Sequence, residues 1–257
     1  MTRIAVVQTQ VADGDWRANL DGAIEAIADA PDADLYLLPE LWTSGYAHDR
    51  WPSTSHESVV PVREALRAIA VARGAAVAGS MISQNENGAL VNRFWYLTAT
   101  DTAWYDKVHL FPPLREAELL VPGRSRQQVH IGSLSCGLSI CFDLRFPEMY
   151  RRDARDGVHA FLICSEWPQA RADALRTLCR ARAIENQAYL ILCNRTGVAS
   201  DGLVFGGGSV ILSPFGDVLA ELGTECGSTV ATLDAQVIEQ LRQTFPVLPS
   251  EQAGVDW

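Results

Sequence analysis

The sequence lacks the features that would mark several broad classes of protein. No apolar run among its 257 residues approaches the roughly 18 a membrane-spanning helix needs. The opening Met1–Gln10 holds only the short run Ile4-Ala5-Val6-Val7 before turning polar, which reads as a strand and not a signal peptide. Basic residues are outnumbered: 21 Lys+Arg against 31 Asp+Glu give a net charge of −10. With no basic cluster to offset that balance, neither nucleic acid nor an anionic membrane is an expected partner. Cysteine is absent from the first 135 residues, and the six present (136, 141, 164, 179, 193 and 226) form no Cys-x-x-Cys. A disulfide framework is therefore not expected, and a cytoplasmic, reduced protein is. The five histidines are dispersed, with no His-Glu-x-x-His, so no metal site is predicted. There is no Gly-x-Ser-x-Gly elbow. The stretch Gly74–Gly79 has P-loop glycine spacing, but Ser80 stands where the lysine belongs.

What is present is ordinary globular composition, 48% hydrophobic and 20% charged. Short β-rich runs alternate with longer helical ones. Strands are predicted at Ile4–Thr9, Leu35–Leu38, Ala75–Ile82, Ala89–Thr98, Thr102–Asp106, Gln128–Ile131, Leu138–Cys141, Val158–Cys164 and Tyr189–Asn194. Three shorter ones follow at Ser209–Leu212, Val218–Leu222 and Ser228–Leu233. Helices are predicted at Trp16–Ala30, Val62–Arg73, Phe146–Asp156, Ala170–Asn186 and Ala235–Gln243. Residues 107–126 show no periodicity and read as a long loop, a kind that is usually functional inside a compact domain. Without a linker or a composition shift, residues 1–257 read as one α/β domain with a polar tail from about 245. Several consecutive strands lack intervening helices. Two sheets packed face to face between helical layers therefore fit better than a doubly wound sheet.

Three strand ends carry chemistry. Leu35–Leu38 leads to Pro39-Glu40, Thr102–Tyr105 to Asp106-Lys107, and Leu138–Ile140 to Cys141. In open α/β folds, sites gather at the carboxyl ends of strands. A thiol is only slightly ionised near neutral pH and needs a base or a cation beside it. A poorly solvated Glu is a competent base. A nearby Lys is expected to favour the thiolate and to stabilise an oxyanion, with the backbone N–H of Phe142 as second donor. Each residue also has an ordinary structural reading: a small buried hydrophobe, a helix-start carboxylate, a solvated amine.

The same positions resemble the motifs of the nitrilase superfamily of carbon–nitrogen hydrolases. Leu37-Leu38-Pro39-Glu40-Leu41-Trp42 resembles its glutamate motif, and Tyr105-Asp106-Lys107-Val108-His109-Leu110-Phe111 its lysine motif. Cys141-Phe142-Asp143-Leu144-Arg145-Phe146-Pro147-Glu148 resembles its cysteine motif. Arg180–Gln187, Tyr189–Asn194 and Gly208–Pro214 are similar to later family segments. The resemblance implies an α-β-β-α sandwich that pairs into a homodimer or larger homo-oligomer. It implies Glu40 as general base, Lys107 as electrostatic stabiliser and Cys141 as nucleophile, with no cofactor. A second family glutamate falls on Glu116 or Glu118, with Glu116 preferred from its distance to Pro122-Gly123. Within the superfamily the chain most resembles omega-amidases, through Glu40–Tyr46, the Cys141–Pro147 wording and Glu166-Trp167-Pro168. The implied substrate is a small amide bearing a carboxylate, such as 2-oxoglutaramate or 2-oxosuccinamate, cleaved through a thioester.

Arg145, Arg171 and Arg195 are candidate partners for that carboxylate, and Trp42, Trp95 and Trp167 candidate pocket walls. Phe205-Gly206-Gly207-Gly208-Ser209 departs from the polar segment many relatives carry there. An amidase acting on deaminated glutathione, a nitrilase, and a non-catalytic partner-binding member are the alternatives. His109, inside the lysine motif, reads as structural.

Overall fold

Alternation along the first strand sets the layering. In β1 (Thr2–Gln8), Ile4 and Val6 enter one apolar core while Ala5 and Val7 enter another. A strand whose two faces are both buried must lie in a sheet covered on both sides. The structure, a computed structural model, describes residues 1–248. Residues 249–257 of the expected tail lie outside that range.

The first half continues with α1 (Trp16–Asp29), β2 (Leu35–Leu37), α2 (Trp51–Glu57), α3 (Val59–Arg73), β3 (Ala76–Gln84), β4 (Leu90–Leu97) and β5 (Thr102–Asp106). After the short helix α4 (Glu116–Leu119) come β6 (Gln128–Ile131), β7 (Leu134–Ile140), α5 (Pro147–Arg155), β8 (Ala160–Ser165), α6 (Ala172–Asn186) and β9 (Tyr189–Asn194). The chain then forms β10 (Thr196–Val198), β11 (Val204–Gly206), β12 (Val210–Leu212), β13 (Val218–Glu221), β14 (Gly227–Leu233) and α7 (Ala235–Thr244).

Two six-stranded sheets result, ordered β14-β1-β2-β3-β4-β5 and β13-β12-β9-β8-β7-β6. Each has three parallel strands at its centre, β1-β2-β3 and β7-β8-β9, flanked by antiparallel ones. Parallel neighbours need a crossover, and helices supply it. Ile4, Leu35 and Phe94 of one sheet share a core with Leu138 and Ile163 of the other. The outer face of the first sheet packs Tyr36, Val77 and Trp95 on Ile27, Val62 and Leu66 of α1 and α3. The arrangement is the expected α-β-β-α sandwich.

Some boundaries differ from expectation. The predicted helix at 62–73 begins at Val59, and α2 precedes it. Helix α2 is mostly polar with Pro52 in its first turn, where the missing N–H costs nothing, so it shows no apolar period. Strand β7 begins four residues early because Ser135 and Gly137 interrupt its apolar run. A Cβ on Gly137 would press on the Asp153 carboxylate at 2.8 Å. Helix α4 lies inside the stretch read as loop, and the β10–β11 ribbon was not anticipated.

Candidate active site

The loop after β2 is carried by β3. Leu38 and Trp42 donate backbone N–H groups to Ala78 and Ser80 carbonyls at 2.7 and 3.2 Å, and the Ser80 hydroxyl accepts from the Leu41 N–H at 2.9 Å. Glu40 reaches the second sheet: its N–H donates to the Ser165 carbonyl at 3.4 Å, and its Oε2 accepts the Glu166 N–H at 2.9 Å. Lys107, at the end of β5, is held by its own N–H to the Asn92 carbonyl and by the Gly123 N–H to its carbonyl, at 2.9 and 2.8 Å. A Cβ on Gly123 would overlap the Asp106 carbonyl oxygen, so this approach needs glycine.

Cys141 sits on a sharp turn leaving β7. Asp143, fully buried, closes that turn by accepting the Ile140 N–H at 2.9 Å and the Tyr105 hydroxyl at 2.7 Å. The same carboxylate accepts the His109 N–H at 2.9 Å and its Nδ1–H at 2.8 Å. His109 stacks on Phe146 with ring centroids 3.5 Å apart. It thus ties the lysine loop to the cysteine turn, a structural position. Of the four non-glycine residues with positive φ among the described residues, three adjoin the site: Leu41 (40°), Arg115 (58°) and Cys141 itself (44°). Strained backbone at such density is typical of functional sites.

The side chains converge. Lys107 Nζ donates to Glu40 Oε1 at 2.7 Å and to both Glu116 oxygens at 2.8 and 2.7 Å, with none of the three side chains exposed. The Cys141 thiol lies close enough to the Glu40 carboxylate for the two to interact. Glu118 instead lies at the surface, paired with Arg115 at 2.9 Å. Three groups in the cluster went unnoticed in the sequence. Tyr46 donates its hydroxyl to Glu116 Oε1 at 3.1 Å, Asn92 donates Nδ2–H to Glu40 Oε1 at 2.9 Å, and the Phe111 N–H reaches Glu116 Oε2 at 2.7 Å. Only Asn92 left a signal, as a polar residue inside the apolar β4.

The electrostatics differ from expectation in one respect. Burial, and then the Glu40 carboxylate, push the Cys141 thiol well above its ordinary range, and Lys107 only partly opposes them. Two carboxylates outweigh one ammonium. The thiol is therefore protonated at rest, and the expected thiolate is not formed by the lysine alone. Burial also raises Glu40, against the pull of Lys107. Burial works against the Lys107 ammonium, but Glu116 and Glu40 outweigh it and hold the charge. A buried thiol against a raised carboxylate can pass its proton as it attacks.

Above Cys141 is a narrow pocket lined by Phe111, Phe142, Arg145, Trp167 and Arg171. Arg145 lies over Trp167 at 5.0 Å and Arg171 over Phe111 at 5.4 Å. Both guanidinium groups are exposed and unpaired with any carboxylate among the described residues. Arg195 is different: it is buried, contacts Glu166 and Asp13 at 3.2 and 3.5 Å, donates to the Val11 carbonyl and lies on Phe205. Its Nη1 and Nη2 groups are engaged within the fold, while its Nε–H is buried without a partner. Trp42 and Trp95 belong to the core between sheet and helices. No group of three or more potential metal ligands occurs among the described residues, and none of their helices is long and apolar enough to cross a membrane.

Strand ends of the two sheets thus bring a cysteine, two glutamates and a lysine into one buried cluster, the set of groups that acyl transfer through a thiol requires. The carbon–nitrogen hydrolase family profile matches residues 3–243, and the chain belongs to that family, the nitrilase superfamily. It is an amidohydrolase, acting on carbon–nitrogen bonds other than peptide bonds. It is 33% identical over 217 residues to a 2-oxoglutaramate amidase of Bacillus subtilis (strain 168), covering 84% of this chain and 83% of that one. Among solved structures, a CN-hydrolase superfamily protein of Xanthomonas campestris with an arsenic adduct in its active site superposes with a TM-score of 0.91 at 29% identity, over 100% of this chain and 99% of that one. A Glu-to-Gln variant of an amidase from Nesterenkonia sp. AN1, carrying acrylamide added at its active-site cysteine, gives 0.84 at 32% identity, over 96% and 98%.

Proposed function

We propose that the protein releases ammonia from the terminal amide of a small carboxylate, with 2-oxoglutaramate as the type substrate, through a thioester on Cys141. One observation carries the reading. The Cys141 thiol, beside Glu40, lies in a pocket that also holds two guanidinium groups without a carboxylate partner among the described residues, Arg145 and Arg171. Planar guanidinium forks match a carboxylate. The relation to a 2-oxoglutaramate amidase supports the same choice.

In this reading Glu40 takes the thiol proton as sulfur attacks the amide carbon. The oxyanion rests on Lys107 Nζ and the Phe142 N–H. Glu40 hands the proton to the departing nitrogen, so ammonia leaves and a thioester remains. Water then loses a proton to Glu40 and attacks the thioester. The collapse releases the second carboxylate and returns the proton to sulfur. Glu116, with both oxygens on Lys107, fixes the ammonium and is a positioning residue. Trp167 forms the wall against which the acyl chain packs.

The test is ammonia release from 2-oxoglutaramate, a simple aliphatic amide and a nitrile, with Cys141→Ala as blank. Turnover of the oxo-amide above the others, absent in the variant, is expected. Equal or greater turnover of the uncharged amide would remove the carboxylate pocket from the account.

A further inference from the structure

The mechanism leaves unused a buried acid beside Glu40. Glu166 follows β8, and its backbone N–H holds Glu40. Its side chain is buried, with Oε1 accepting from Arg195 Nη1 at 3.2 Å. Oε2 has no partner, although an unpaired buried carboxyl oxygen is costly. The neighbouring Trp167 indole N–H is likewise buried without a partner. Both residues line the pocket that contains Cys141. Neither is loosely placed: Asn194 clamps the Trp167 main chain, accepting its N–H at 2.7 Å and donating to its carbonyl at 3.3 Å. Two unsatisfied polar atoms, on neighbouring residues that both line this pocket, point to a group that arrives with the substrate.

We propose that Glu166 and Trp167 form a polar subsite that reads the carbon next to the substrate carboxylate and favours a carbonyl oxygen there. The placement follows from Arg145, which lies over Trp167. A carboxylate held by that guanidinium puts its neighbouring carbon beside the indole edge. The proposal rests on the amidase reading above.

The charge state fits. Burial raises Glu166 to about 8, against the pull of Arg195 and with help from Glu40 and Asp13. Tyr46 is near enough to feel its charge, and Cys141, Arg145 and Arg171 share the pocket. At neutral pH the carboxyl is mostly un-ionised and carries an O–H. Together with the indole N–H it offers two donors, which a carbonyl oxygen satisfies. An ammonium at that carbon would meet donors and the nearby guanidinium, so an amino acid amide is disfavoured.

The experiment compares kcat/KM for 2-oxoglutaramate and for glutaramate, which has the same carboxylate and amide but no oxo group. An uncharged aliphatic amide is the control. The wild type should prefer the oxo substrate tenfold or more at pH 7. Glu166→Leu and Trp167→Phe should each lower that ratio about tenfold, whereas Glu166→Gln, which keeps a neutral donor and the bond from Arg195, should preserve it. Between pH 7 and 9 the wild-type ratio should fall and that of Glu166→Gln should not. Titration of Glu40 and Cys141 affects both substrates and cancels. Equal turnover of the two carboxylate amides by the wild type would overturn the subsite and leave the amidase reading intact. A ratio unchanged in Glu166→Leu, or lost equally in Glu166→Gln, would also overturn it. Turnover of the uncharged amide alone would overturn both.

Discussion

Replacing Lys107 by Met tests the charge cluster directly. In the folded protein one ammonium lies in contact with Glu40 and Glu116, and none of the three is exposed. Formal charges there sum to −1. The variant would leave two carboxylates facing each other in a dry site at −2. Breaking a buried ion pair by removing one partner costs about 3–5 kcal/mol. The cost must depend on pH. Without Lys107, burial and the facing Glu116 carboxylate raise the Glu40 carboxyl still further above its ordinary range. The folded state then binds more protons than the unfolded one, so stability falls as pH rises. Urea unfolding of Lys107→Met should show a loss of about 3–5 kcal/mol at pH 8 and a clearly smaller loss at pH 5. The double variant with Glu116→Gln restores the sum to −1 and should recover part of the loss at pH 8. Turnover should fall by about 10²–10³ or more, the range for loss of one oxyanion donor. A pH-independent loss below about 1 kcal/mol would refute the reasoning.

Four further outcomes follow from the geometry. Iodoacetamide should alkylate Cys141 slowly at pH 7 and faster as pH rises beyond 9, because the thiol is protonated at rest; a pH-independent fast rate would show a preformed thiolate. Gly123→Ala should lower stability by about 1–3 kcal/mol by thermal unfolding and reduce kcat, since a Cβ there displaces the carbonyl beside Lys107. Asp143→Asn should cost about 1–3 kcal/mol and slow turnover, because it alters acceptors for Ile140, Tyr105 and His109 together. Arg145→Ala and Arg171→Ala should raise KM for 2-oxoglutaramate about tenfold, with little change for an uncharged amide; equal effects on both substrates would move the carboxylate elsewhere.

Much of this was legible from residue order. Strand ends carrying Glu40, Lys107 and Cys141 signalled that the three side chains can converge on one crevice. What escaped notice was carried by contacts remote in sequence. Helix α2 has no apolar period because it caps the loop instead of presenting a stripe: the Trp51 indole N–H donates to the Gly45 carbonyl at 2.9 Å. Tyr46 and Glu116 are 70 residues apart and become partners only when α4 folds back. The sign of the thiol shift was missed as well. Residue order sets Lys107 against the thiol without the cost of burial, which is the largest influence in the folded site and is joined by the Glu40 carboxylate. Arg145, Arg171 and Arg195 were equivalent as residue types, and burial with the ion pairs to Glu166 and Asp13 separates the structural one from the pair at the pocket.

The most direct measurement is intact-protein mass spectrometry of enzyme quenched during turnover of 2-oxoglutaramate. The account predicts a mass increase equal to the acyl group on the wild type, discharged by hydroxylamine and absent from Cys141→Ala, which should release no ammonia. An adduct on another residue, or ammonia release by Cys141→Ala above a few per cent of wild type, would contradict it.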